Sequence, residues 1–304
     1  MTILSVLLCT HCTRESTEQR EQTNPELGNE RSQVIYTTNY PLFYITRQLA
    51  PASVAVHFPA AETSDPSLWK PLADTIAAMQ QADLIFINGA SFEKWLSMVS
   101  LPESKLVNTS AGFEDRLIYM NETTTHSHGA EGSHAHQGTA ITCWMDLNLA
   151  IEQTKAIEQA LVRLWPAEAA LVRAQSAELQ AVLADLHQQF DQAAEELSES
   201  EGSLVFSHPV YQYFQRAYGL TGPSLHLEPD EPISEQQLNE LMQLQQQSSL
   251  TVCIWEDTPL ASSVTALEEL GITSVVVNPM GNRPPQGDFL DGLKNNLTQL
   301  HTLN

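Results

Sequence analysis

One apolar stripe constrains the fold of this chain more than any other feature. Leu171, Val172, Leu179, Val182, Leu183, Leu186, Phe190, Ala193, Ala194 and Leu197 recur at spacings of three, four and seven. That spacing places one face of an α-helix in a core. The helix starts near Pro166 and runs for roughly 30 residues, ~45 Å at the usual rise per residue. It is longer than a typical domain helix and long enough to pack against two lobes.

The flanks of the stripe agree. Short apolar runs at 34–38, 54–58, 84–88 and 106–108 read as buried strands, with helices expected over 41–50, 70–81 and 91–99. Beyond the stripe, strands are expected at 204–207, 225–227, 252–255 and 274–278, and helices near 209–218, 234–247, 260–270 and 287–300. A chain of 304 residues fits two domains. The fold class is therefore α/β: two lobes, each a small, mostly parallel sheet flanked by helices, joined by one long rigid helix. The boundaries fall at 1–33 for a leader or tether, 34–165 for the first lobe, 166–200 for the linking helix and 201–304 for the second lobe. Residues 121–139 hold no apolar side chain larger than Ala and read as a flexible loop inside the first lobe.

Charge and cysteines narrow the function classes. With 37 acidic and 14 basic residues the formal charge is −23. Such a surface repels nucleic acid and anionic lipid and attracts cations. Residues 3–8 are apolar and end at Cys9, and 13–33 are polar. A lipoprotein-like leader with a disordered tether follows, anchored through Cys9 or Cys12, on a periplasmic or cell-surface protein. Cys143 and Cys253 are 110 residues apart, and the sequence leaves open whether they pair, ligate or stay as free buried thiols.

The chemistry-bearing residues are mostly histidines. His126, His128, His134 and His136 form two His-x-His pairs eight residues apart with Glu131 between. Imidazole suits zinc, copper and nickel, and a dense cluster points to metal handling. In open α/β sheets ligands bind beyond the carboxyl ends of strands. His208 follows one expected strand there, and Asp257, with Glu256 beside it, follows another. A His and a carboxylate from two strand tips can meet on a cation. His57 and His226 lie within strands and read as core or surface residues.

The order and spacing of several stretches resemble the zinc and manganese ABC-transporter solute-binding proteins. They are Asp65-Pro66 with Pro71, Ala82 to Gly89, Phe92-Glu93-Lys94-Trp95-Leu96, Ser207-His208-Pro209-Val210-Tyr211-Gln212-Tyr213-Phe214, Ala217-Tyr218-Gly219-Leu220, Asn278-Pro279-Met280-Gly281 and Asn296-Leu297. The resemblance covers about residues 34–302. It implies a metal site in an interlobe cleft and delivery to a membrane permease. It also places ligands at two first-lobe positions that here hold Ser67 and Thr142, which leaves His208, with Asp257 at the carboxylate position. A neutral hydroxyl is a poor substitute for imidazole on zinc, which wants about four good donors. Three substitutes compete: a loop histidine such as His134 or His136, the thiolate of Cys143, or a different cargo such as a chelated metal.

The expected function is capture of a divalent transition metal, zinc with manganese as the alternative, by a monomeric binding protein that hands it to an ABC permease. No enzyme and no nucleic-acid partner is expected, since His-Glu-x-x-His, Gly-x-Ser-x-Gly and phosphate-loop motifs are missing from the sequence. The alternative is a metallochaperone or adhesin-like protein that binds metal through the His-rich loop alone.

Overall fold

The computed structural model describes residues 33–63, 65–128, 132–199 and 202–303, with 121–128, 132–137 and 199 described by their backbone alone. Cys9, Cys12 and the expected tether lie outside the described residues. The first lobe is built on a parallel sheet of β1 (Val34–Thr37), β2 (Ala55–His57), β3 (Leu84–Ile87) and β4 (Leu106–Asn108), in the order β2-β1-β3-β4. Its helices are α1 (Tyr40–Leu49), α2 (Ala73–Gln81) and α3 (Leu147–Leu164). All four residues of β3 are buried, as expected of a central strand covered on both faces. Asn39 caps α1 by accepting from the Leu42 amide, and Pro41 sits in its first turn, where no amide is needed.

The segment expected as a helix over 91–99 is a 3-10 turn at Lys94–Met98 instead. The chain reaches it through three successive left-handed residues, Gly89, Ala90 and Ser91 (φ 72°, 49° and 63°), a path that cannot start an α-helix. At Gly89 a β-carbon would lie 2.2 Å from Asn108 Oδ1, so glycine is required there.

The 121–139 segment also differs from its expected loop. The backbone of β5 (Tyr119–His128) pairs antiparallel with β6 (Gly132–Thr139), with His126 opposite His134 and Thr124 opposite His136. Three consecutive β-branched residues, Thr123 to Thr125, favour that extended pairing.

α4 (Ala169–Glu199) is the long helix, entered by a 3-10 turn at Pro166–Glu168. Its buried stripe includes Val172, Leu179, Leu183, Leu186, Phe190, Ala193, Ala194 and Leu197, whereas Leu171 is exposed. It packs on α1 and α3 of the first lobe.

The second lobe carries β7 (Ser203–Phe206), α5 (Gln212–Ala217), α6 (Glu235–Gln247), β8 (Leu250–Trp255), α7 (Ala261–Glu269), β9 (Thr273–Val276) and α8 (Phe289–His301). Its strands are parallel in the order β7-β8-β9. Residues 225–227, expected as a strand, join β7 only through a bridge between Phe206 and Ser224 and backbone bonds from Leu225 and Leu227. α8 returns to pack on α4 and α1, with Phe289 against Tyr44 at 5.6 Å between ring centres. Hydrogen bonds cross between the lobes. Thr142 Oγ1 donates to Val210 O at 2.6 Å, Trp144 Nε1 to Pro279 O at 2.6 Å, and Arg216 Nη1 to Arg116 O at 2.6 Å.

Candidate metal centre

Strand register brings the second-lobe residues together. In the β7–β8 pairing Phe206 lies beside Ile254. Two residues further along each strand are His208 and Glu256, so both stand at the carboxyl ends of neighbouring parallel strands and on one face. Asp257 is one residue out of phase. It is exposed, its Oδ1 accepts from the Thr258 amide, and it stands outside the group that surrounds His208. In the sequence Glu256 stands out only as the neighbour of Asp257.

The other flank of β7 supplies a third group. From the Phe206–Ser224 bridge the segment runs along β7, its Leu225 and Leu227 amides bonding to Phe206 O and Ser207 O, and brings His226 close to His208. Leu225 and Leu227 are buried beneath, so the alternate residues His226 and Glu228 face the other way. His208, Glu228 and Glu256 each offer a ligand atom, all within 4.8 Å of one another. Nε2 of His208 lies 3.3 Å from Glu228 Oε1, and Nδ1 lies 3.3 Å from Glu256 Oε1. The imidazole is 3% exposed and the carboxyl side chains 18% and 24%. The ring of His226 meets that of His208 edge to face at 5.8 Å between centres. Sequence reasoning missed Glu228. Its signal was the alternation Leu-His-Leu-Glu at 225–228, two apolar residues inward and two ligand types outward.

Burial opposes a proton on His208, but the hydrogen bond to Glu228 and the charges of Glu256 and Glu228 outweigh it. The imidazole pKa therefore lies above its ordinary value.

The first-lobe positions are arranged differently. Ser67 is buried in a tight turn, its Oγ donating to Asp65 Oδ2 at 2.9 Å and its amide to Asp65 Oδ1 at 2.8 Å. Thr142 is buried and donates across to Val210, two residues past His208. The Cys143 thiol is buried, donates to Asn88 Oδ1 at 3.4 Å, and is pushed by burial up to about 12; it stands outside the group around His208. Cys143 and Cys253 are both free and buried. Behind them a polar cluster is closed within the lobe. Glu93 accepts from Thr38 Oγ1 (2.5 Å), the Asn88 amide (2.6 Å) and the Gly89 amide (3.1 Å), and Gln153 Nε2 donates to Asn88 Oδ1 and Thr109 Oγ1. Burial raises the Glu93 carboxyl to about 7 against the pull of those donors. His57 stacks on Tyr36 at 5.2 Å. The side chains of His126, His128, His134 and His136 lie outside the described residues.

Two parallel-sheet lobes on a shared helix, with an imidazole and carboxylates at strand ends, describe a two-lobed binding protein. The family profile "ZnuA: Zinc-uptake complex component A periplasmic" matches residues 35–303, and the chain belongs to this family. It is a family of uptake components rather than of enzymes. The zinc-binding lipoprotein AdcA of Streptococcus pneumoniae (strain ATCC BAA-255 / R6) is 25% identical over 253 residues, 81% of this chain and 50% of AdcA. This chain thus spans about half the length of the AdcA lipoproteins it matches. The high-affinity zinc uptake system protein ZnuA of Bacillus subtilis (strain 168) is 26% identical over 279 residues, 88% of this chain and 86% of the relative. Among solved structures, the metal-dependent lipoprotein YcdH from Bacillus subtilis superposes with a TM-score of 0.74 at 23% identity, covering 89% of this chain and 98% of that one. The Zn(II)-bound ZnuA-like domain of Streptococcus pneumoniae AdcA gives 0.73 at 20% identity, covering 90% and 98%. These likenesses establish the two-lobed fold. No helix among the described residues is long and apolar enough to cross a membrane.

Proposed function

We propose that this protein captures a divalent transition metal outside the cytoplasm and delivers it to an ABC permease, with zinc the preferred ion and manganese the alternative. The observation that carries the reading is His208: a buried imidazole at a strand end with a carboxylate facing each ring nitrogen. Zinc takes nitrogen and oxygen donors together, whereas manganese favours oxygen. Zinc-binding and manganese-transporter lipoproteins both occur among the relatives, which fits a divalent cargo. The negative surface raises the local concentration of cations, and the ribbon histidines His126, His128, His134 and His136 collect them ahead of the tight site. The leader, with Cys9 or Cys12 as lipid attachment, holds the protein at the membrane face.

The test is a calorimetric titration of the full chain with zinc chloride and with manganese chloride. One tight zinc equivalent is expected, lost in His208→Ala and kept when the four ribbon histidines are changed to Asn. Unchanged affinity in His208→Ala would move the site elsewhere, and loss of all binding in the ribbon variant would make this a ribbon-only metal carrier.

A further inference from the structure

We infer that the tight site lies wholly within the second lobe, on His208, Glu228 and Glu256 with His226 as a further donor, and that the first lobe clasps the second without touching the ion. The inference rests on the metal-binding reading above and assigns its ligands.

Four observations support it. First, the 3.3 Å separations around His208 are long for hydrogen bonds between charged partners, which close to about 2.7–2.9 Å. On the side of the ring nitrogen that binds, such a separation matches two donors on one tetrahedral zinc, about 3.3 Å apart when each bond is ~2.0–2.1 Å. Second, an imidazole gives an ion one nitrogen at a time. Glu228 at Nε2 and Glu256 at Nδ1 flank the ring, so a carboxylate stands beside the bound nitrogen and the other orients the ring from behind. Third, two carboxylates neutralise a divalent ion, and His226 places a second imidazole edge to face with His208, 5.8 Å away between ring centres. Two imidazoles and the carboxylate beside the bound nitrogen then act as donors, solvent completes the four that zinc takes, and the other carboxylate holds the ring from behind. His208 and Glu256 sit just past the ends of the paired strands β7 and β8, and His226 and Glu228 on the segment bonded alongside β7, so all four stand together without an ion.

Fourth, the first-lobe hydroxyls already have other work. Ser67 is held in its own turn by Asp65, and Thr142 ties the first lobe to the carbonyl of Val210. The contacts from Trp144 to Pro279 and from Arg216 to Arg116 close the same seam. Lobe closure therefore does not depend on an ion bridging the lobes, and loading changes the second lobe more than the angle between lobes.

The experiment titrates zinc chloride into the full chain with the ribbon histidines changed to Asn, comparing Glu228→Gln, Glu256→Gln and His226→Asn with Ser67→Ala and Thr142→Val. Circular dichroism confirms that each variant is folded, and zinc-edge anomalous scattering from crystals of the parent locates the ion. The three second-lobe variants are expected to lose at least tenfold in affinity each, the two first-lobe variants less than twofold, with the anomalous peak beside His208. Full affinity in both carboxamide variants overturns the inference, as does a peak bonded to a first-lobe residue. If His208→Ala alone abolishes binding while the carboxamides leave it intact, the capture function stands and this ligand assignment falls. If the parent binds no zinc, both fall.

Discussion

The two lobes share an architecture and treat their polar residues in opposite ways. In the first lobe, Glu93, Asn88 and the Gln153 amide nitrogen are enclosed in a hydrogen-bonded cluster, and the side chains at the edge, Ser67 and Thr142, end in short hydrogen bonds. In the second lobe, His208, Glu228 and Glu256 gather at the strand ends at separations longer than tight ion pairs. A polar cluster bonded to the backbone rigidifies a lobe, whereas one gathered at strand ends stands where ligands bind in α/β sheets. The difference is what the proposed assignment of support to one half and ligation to the other rests on.

Four substitutions break or sharpen this contrast, beginning with the largest effect. Phe190 on α4 is 2% exposed and packs against Phe214 and Tyr218 of the second lobe. Phe190→Ala should destabilise the whole molecule by about 3–5 kcal/mol in urea unfolding. If near-ultraviolet dichroism and tryptophan fluorescence then report separate transitions, the lobes are independent and the shared-core view fails.

Glu93→Gln comes next. The folded carboxyl holds its proton to about 7, above the reference 4.5, so its contribution is complete below about 4.5 and declines as pH rises through 7. The stability of the parent relative to Glu93→Gln should fall by up to about 3 kcal/mol between pH 4 and pH 8, the scale set by 1.36 kcal/mol per pKa unit. A gap that is constant with pH would show that the three donors hold the carboxylate ionised throughout.

Thr142→Val removes one cross-lobe bond and should cost about 1 kcal/mol of stability. Asp257→Asn should change zinc affinity less than twofold and melting hardly at all, because the side chain caps only its neighbour's amide. A tenfold loss of affinity there would restore Asp257 as a ligand and with it the pattern expected from the family resemblance.

Much of the fold was legible in the sequence because periodicity survives without context. The stripe from Val172 to Leu197 is one face of α4 as expected, and each buried strand of both sheets coincides with an apolar run. α3 escaped notice because its buried face carries Gln153 and Thr154 among Leu147, Ala150, Ile157 and Leu161, and a glutamine reads as surface until its partners Asn88 and Thr109 are known. His208 was legible as a strand-end residue. Choosing Glu256 over Asp257 needed the parity of the β7–β8 register, which sequence does not state. Glu228 needed the neighbour of the 224–228 segment to be known as β7.

The seating of α8 bears on how the molecule is made. Phe289, Leu293, Leu297 and Leu300 complete a core that also holds α1, near the opposite end of the described chain. A polypeptide stopped before Phe289 would leave the greasy flank of α4 bare, so assembly is expected to wait until synthesis has passed that point.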